Sequence, residues 1–157
     1  MSRLTASTLD PDEIATFLDD QTTGTLSLAD DDDAYAVPVA FTFDEDSRNI
    51  YFRLGYGPDS LKRRYADATG TATFVVDAET SAGWKSVIAR GELEHLSTVE
   101  ELNTGHPRGT VDPSVNQAIR NLNIPFYQVF EEPSDMTFTL ARLRTSELTG
   151  VVGVGDD

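Results

Sequence analysis

From Tyr35 to Phe43 the chain alternates strictly. Tyr35, Val37, Val39, Phe41 and Phe43 fall on one side of an extended backbone, with Ala36, Pro38, Ala40 and Thr42 on the other. A period of two is the strand period and cannot give one apolar face on a helix. The same alternation runs through Gly24-Thr25-Leu26-Ser27-Leu28-Ala29 before it, and Ile50-Tyr51-Phe52-Arg53-Leu54 follows it. The breaks between these runs are short and polar, Asp30 to Asp33 and Asp44 to Asn49. Three consecutive strands joined this tightly form an antiparallel meander, so the chain is committed to a mainly β fold.

Helical signals lie on either side of the meander. Asp10-Pro11-Asp12-Glu13 places a capping carboxylate, a proline at the first helical position and a Glu at N3, which is the capping-box arrangement. Leu9 and Ile14 stand where a hydrophobic staple would be, and Ile14, Phe17 and Leu18 share one face until Asp19-Asp20-Gln21 ends the helix. After the meander, Gly55-Tyr56-Gly57-Pro58-Asp59 breaks the strand, and Asp59 or Ser60 is a candidate cap for a short helix over residues 61–66. Two more strands are expected, Thr69 to Val76 and Trp84 to Leu96. Ser97 to Glu132 is polar and loop-rich, with a proline-initiated helix from Pro113 to Leu122 and a short piece carrying Phe126, Tyr127, Val129 and Phe130. A last strand from Met136 to Leu143 returns to close the sheet, and the Gly-rich segment from Gly150 onward reads as frayed. The expectation is one domain over residues 1–149 with a flexible acidic tail at 150–157. About five strands in meander order, small helices and a returning strand make an antiparallel barrel, mainly β (α+β), with helices at its rim.

Charge excludes several functions. The chain has 157 residues and a formal net charge of −15, with 27 acidic against 12 basic residues. Such a polyanion repels nucleic acid and anionic lipid surfaces unless it hides a basic patch. With no cysteine, disulfide frameworks, thiol catalysis and cysteine-ligated zinc are ruled out. No stretch approaches the roughly 18 apolar residues of a membrane span, and MSRLTASTLDPDE lacks the apolar core of a signal peptide, so a soluble cytoplasmic protein is expected. The acidic residues are 17 Asp and 10 Glu, and the basic ones 10 Arg with only Lys62 and Lys85 as lysines. This composition resembles that of proteins from salt-in halophiles, of haloarchaeal type, with an ordinary acidic surface as the alternative.

Enzymatic constellations are sparse. His95 and His106 have no metal-spaced partner, and no HExxH, GxSxG, GxxxxGK[ST] or GxGxxG pattern occurs. Glu92 and Glu94 share one strand face, as solvated carboxylates do, and do not oppose each other across a cleft as a glycosidase pair would. The run Asp30 to Asp33 reads as a solvated hairpin tip, because calcium loops need a sharp glycine turn and several converging oxygens. Positive charge gathers in one place. Arg53, Lys62, Arg63 and Arg64, with Ser60, lie on a strand, a turn and the start of a helix. Guanidinium, ammonium, hydroxyl and helix N–H groups suit a small phosphate ligand. A local salt-bridge network is the alternative.

Five pieces of text in order now carry a family resemblance: Gly24-Thr25-Leu26, Tyr35 to Phe41, Ile50 to Arg53, Ser60 to Arg63 and Trp84 to Gly91. Over about Thr8 to Leu96 the chain resembles the pyridoxamine 5′-phosphate oxidase-like family of flavin-binding split barrels. It departs from the familiar form at Ala40-Phe41, where an aromatic or polar residue is usual after Pro-Val, and at Arg53-Leu54, where a His often follows the third strand. The resemblance implies an antiparallel, Greek-key-like split barrel with a few short peripheral helices. It implies an FMN-dependent oxidoreductase or flavin reductase of unknown substrate, acting as a homodimer on a small molecule. Pro38, Val39, Ala40 and Phe41 would line the isoalloxazine edge, while Arg53, Ser60, Lys62 and Arg63 would hold the FMN phosphate. Trp84 and Ser86 would reach the site from the second subunit. The insert Ser97 to Glu132 would wall the substrate pocket. Deazaflavin F420 or haem are alternative ligands for such a scaffold, haem less favoured with only two histidines present. A non-catalytic binding or interaction barrel is the reading from another class.

Overall fold

The expected capping box forms. The Glu13 amide donates to the Asp10 carboxylate at 2.8 Å and the Asp10 amide donates to Glu13 Oε1 at 3.0 Å. In the computed structural model, which describes residues 4–56, 61–98 and 137–155, this box starts helix α1 (Pro11–Asp19), which buries Ile14, Ala15, Phe17 and Leu18. The meander is β2 (Thr23–Asp30), β3 (Asp33–Asp44) and β4 (Asn49–Tyr56). Helix α2 (Leu61–Ala68) leads to β5 (Thr71–Thr80) and β6 (Gly83–Thr98), and β7 (Thr137–Gly155) ends the described chain. A short strand, β1 (Leu4–Thr8), precedes α1 and has no counterpart in the sequence reading. The expected cap at Asp59 or Ser60, the helix from Pro113, the aromatic piece at 126–130 and His106 lie outside the described residues.

All strand pairs are antiparallel, in the order β1-β7-β4-β3-β2-β5-β6. A further pairing of β6 with β7 closes the sheet into a barrel, which removes most of its free edges. Alternation in β3 works as expected, with Val39, Phe41 and Phe43 in the core and Tyr35 and Val37 packed against it. Phe74 sits at the centre, edge-on to Phe41 at 5.0 Å and to Phe52 at 4.8 Å between ring centroids. Edge-to-face packing places the positive ring edge on the negative ring face. Among the described residues no helix is long and apolar enough to cross a membrane.

The sequence expectation of a frayed tail from Gly150 is corrected. Residues 150–155 are the last third of β7, held between β1 and β6 with Ala6 and Trp84 both opposite Gly153. The glycine that opens this segment has a packing reason. A Cβ at Gly150 would stand 3.0 Å from Leu9 Cδ1 and 3.1 Å from Ile14 Cγ1, so the missing side chain is where α1 rests on the barrel. The Leu9 amide donates to the Gly150 carbonyl at 2.9 Å beside it.

Gly91 marks a second close approach, at the register shift of β6 between Arg90 and Gly91. A Cβ there would overlap the carbonyl oxygen of Arg144 on β7, which has no flexible end to yield. Gly91→Ala is expected to destabilise the fold by about 2 kcal/mol or more. Gly70→Ala, which meets nothing within 4 Å, should change it by less than about 0.5 kcal/mol. Denaturant unfolding of both variants in molar salt checks the contrast, and equal stabilities would refute it.

Candidate functional site

Strands β3 and β4 are paired from Asp44 and Asn49 up to Ala40 and Arg53, and there they part. Beyond that pair, Leu54 to Tyr56 of β4 stay with β7 alone, while Asp33 to Val39 of β3 stay with β2 alone. Among the described residues, the parting leaves β3 with an open backbone edge. The Phe41 amide donates to the Thr22 carbonyl at 3.1 Å, on the side of β2. Because strand amides alternate sides, the backbone groups of Ala36, Pro38 and Ala40 face the other way. Ala40 is paired with Arg53, so the free edge presents Ala36 and Pro38. Proline at position 38 therefore removes a donor only where no strand partner needs one. What remains at Pro38 is a carbonyl acceptor.

One of the expected charged residues stands at this split. Arg53 ends the β3–β4 ladder, and its Nε and Nη2 are buried. Burial holds the Arg53 guanidinium below its ordinary pKa. Burial likewise lowers the half-buried Lys62 ammonium on the first turn of α2. Arg63 is exposed and reaches Asp67 one turn on at 3.9 Å. Helix α2 itself packs on β2 and β3. Within one chain the fold thus brings Pro38, Val39, Ala40 and Phe41 next to Arg53, on the two strands that carry and neighbour α2. Val39 and Phe41 turn their side chains into the core, so only their backbone is available to a ligand. Ser60 lies outside the described residues.

Trp84 and Ser86 are not brought to this place. They sit on β6, opposite Glu79 and Asp77 of β5, and β2 and β5 separate them from β3. Trp84 is 56% exposed, and Ile88 and Val151 beside it are exposed as well.

The matching family model is that of pyridoxamine 5′-phosphate oxidase, over residues 10–151. The chain belongs to this family. Solved structures with the same fold include an FAD-binding protein from Mesorhizobium loti, 20% identical with TM-score 0.67, covering 95% of this chain and 98% of that one. An FAD-binding protein from Mycobacterium smegmatis is 16% identical with TM-score 0.63, covering 94% and 99%. A heme-binding protein from the same organism is 12% identical with TM-score 0.60, over 93% of this chain and 58% of its own. No curated protein sequence matches the chain. The split-barrel architecture of the family is the one described above.

One cluster of this family member escaped the sequence reading. Tyr51 is fully buried yet lies outside the main core, on the outward face of β4. The register sets it opposite Arg142, and Arg142 opposite Glu94. Arg142 Nε and Nη2 donate to Glu94 Oε2 at 2.9 and 2.6 Å, and Arg144 Nη1 lies 3.4 Å from Oε1. Burial by itself would lower the Arg142 pKa, but hydrogen bonds to Tyr51 and Glu94 outweigh it and hold the guanidinium above its ordinary value. Glu94 is therefore not the solvated carboxylate expected from its pairing with Glu92. The available signal was the spacing of Tyr51 and Arg53, and of Arg142 and Arg144, two apart on strands. The Asp30 to Asp33 tip is also not wholly solvated, since Asp30 meets Arg64 at 3.3 Å and Asp33 accepts from the Tyr65 hydroxyl. No group of three metal-ligating side chains occurs among the described residues.

Burial ranks the ion pairs. The Arg142 and Glu94 side chains are 17% and 22% exposed, against 50% and 65% for Arg90 and Glu147. Glu94→Ala strands a mostly buried guanidinium and should cost about 2 kcal/mol. Glu147→Ala should cost less than about 0.5 kcal/mol. Thermal unfolding of the two variants measures the difference, and a Glu147 effect as large as that of Glu94 would contradict it.

Proposed function

We propose that this chain is an FMN-binding oxidoreductase or flavin reductase whose site lies at the parting of β3 and β4. The observation that carries the reading is Arg53, a guanidinium with buried nitrogens at the end of the β3–β4 ladder, where the open edge of β3 begins. A buried cation is stabilised by an anion in contact, and phosphate matches a guanidinium in geometry. Lys62, half-buried on the adjoining helix, adds a second cation under the same desolvation. The residues present therefore fit a flavin mononucleotide. Arg53 and Lys62 would hold the phosphate with Arg63 and Ser60, and the Pro38 carbonyl and Ala36 backbone would meet the polar rim of the ring. When bound, the flavin supplies hydride or electron transfer. The protein supplies orientation, and its cations offset the charge of the cofactor. The solved FAD-binding proteins of the same fold support flavin as the ligand class.

The second half of the site comes from a second copy. Trp84 and Ser86 are out of reach of the split within one chain, and Trp84, Ile88 and Val151 form an exposed apolar stripe on β6 and β7. Two copies joined across this stripe would cover it and carry Trp84 and Ser86 to the partner. The acidic surface suits molar salt, so the protein is best purified there.

Protein prepared in this way is expected to show a flavin absorption spectrum, to release FMN on heating and to have twice the chain mass by light scattering. Lys62→Ala should weaken FMN binding about tenfold or more. Released FAD, F420 or haem would keep the barrel and replace the ligand, and a colourless protein that takes up none of them would overturn the reading.

Lysine titration offers an independent check. Burial depresses the Lys62 pKa from its ordinary 10.5 in the free protein, whereas contact with phosphate favours the charged form and raises it. Between the two values, binding takes up a proton. FMN affinity should be flat near neutral pH and fall as pH rises through the depressed value, before ordinary lysines titrate. Lys62→Arg should remove that fall. Calorimetry in buffers of different ionisation enthalpy measures the uptake, and its absence would rule out Lys62 as the phosphate ligand.

A further inference from the structure

Helix α2 carries Lys62 and Arg63, and its seat on the barrel is built from side chains of its second and last turns. Tyr65 is buried, and its ring stacks on Tyr35 of β3 with centroids 5.0 Å apart and planes 7° from parallel. Its hydroxyl donates to Asp33 Oδ2 at 2.5 Å across the β2–β3 hairpin. Arg64 lies over the same ring at 5.2 Å and reaches Asp30 at 3.3 Å. At the end of the helix, the Thr69 hydroxyl accepts from the Ala29 amide at 2.9 Å and donates to the Tyr65 carbonyl at 2.6 Å. The helix is thus fastened to one hairpin, and that hairpin contains the open edge of β3.

We propose that the Asp33–Tyr65 hydrogen bond, on the stacked Tyr35–Tyr65 pair, is a positioning latch that sets the first turn of α2 against the β3 edge and so aims Lys62 at the cofactor phosphate. The inference rests on the phosphate reading of the same site. Three features single out this bond. Tyr65 is three residues from Lys62, on nearly the same side of the helix one turn away. The bond is part-buried, whereas the Arg64–Asp30 pair has side chains 59% and 38% exposed and is screened by salt. The stack fixes the tyrosine ring in its plane, so the hydroxyl fixes rotation of the helix about its axis. The carboxylate acceptor also holds the Tyr65 phenol above its ordinary pKa, which keeps the hydroxyl a donor over the working pH range. Tyr65 touches no ligand in this account and acts through Lys62.

A merely structural bond and a positioning bond differ in what they do to two ligands. FMN and riboflavin share the ring and differ in the phosphate, so their affinity ratio reports the phosphate grip alone. Tyr65→Phe keeps the stack and removes the hydroxyl. It should lower FMN affinity about fivefold while riboflavin affinity changes by less than about twofold. Asp33→Asn keeps an acceptor and should leave the ratio close to that of the parent, whereas Asp33→Ala should behave as Tyr65→Phe and serves in its place should that variant not fold. Arg64→Ala should change the ratio by less than about twofold. Lys62→Ala separates the two levels of the argument. Should it weaken FMN and riboflavin alike, the phosphate reading fails. Should it weaken FMN selectively while Tyr65→Phe and Asp33→Ala weaken both ligands equally or neither, the latch is overturned and the phosphate reading stands.

Discussion

The fold depends on the length of one strand. β7 runs 19 residues and is paired with β6 along most of that length. Its other edge is divided, with Thr137 to Leu143 on β4 and Val151 to Gly155 on β1. Closing the sheet through a strand longer than its neighbours forces β4 to follow β7 where β3 does not. The β3–β4 ladder therefore ends at Ala40 and Arg53, and a backbone edge is left inside an otherwise closed barrel. An open edge is ordinarily a liability for aggregation. Here Pro38 removes a donor from it and α2 is seated beside it, so the edge is narrow and offers acceptors to whatever binds.

Two arginines on neighbouring outward positions are treated differently by their surroundings. Arg142 has Glu94 and Tyr51 in hydrogen-bond contact, and its charge is stabilised beyond the ordinary value. Burial holds Arg53, two residues from Tyr51, below its ordinary value. A buried charge held by strong internal partners is structural, because moving it leaves the partner exposed to the same penalty. A buried charge held below its ordinary pKa gains from an added anion. Burial lowers the Lys62 pKa as well, while Arg64 on the same helix is exposed and pairs with Asp30.

Much of this was legible from residue order. The Asp10 capping box, the alternation of Tyr35 to Phe43 and the strand runs expected over Thr69 to Val76 and Trp84 to Leu96 are local signals, and local signals survive folding, although the strands run on to Thr80 and Thr98. So were the strand that carries Arg53 and the short helix that carries Lys62. What was not legible depends on chain segments far apart. β1 is only five residues long, too short for its alternation to stand out, and it exists because β7 offers an edge 140 or more positions away. Gly150 to Gly155 reads as a tail since glycine has no strand preference, yet Leu9 and Ile14 require that absence of side chain. Glu94 looked solvated because its partner Arg142 is 48 residues on. The four-aspartate tip concealed two contacts with α2 for the same reason.

The net charge of −15 raises a question about any anionic ligand. At 0.1 M salt the screening length is about 10 Å, so carboxylates across this small barrel would repel a phosphate together. At 1 M it shrinks to about 3 Å, and only charges in contact still act. Buried cations are screened less than exposed carboxylates, so added salt removes the repulsion faster than the attraction. Nearby negative charge is also spoken for locally, with Asp30 facing Arg64 and Asp33 accepting from Tyr65. An acidic surface and a phosphate site are compatible on these terms. On the proposed reading, an acidic surface disperses the molecule in concentrated salt, while a phosphate site acts at contact range, where salt screens least.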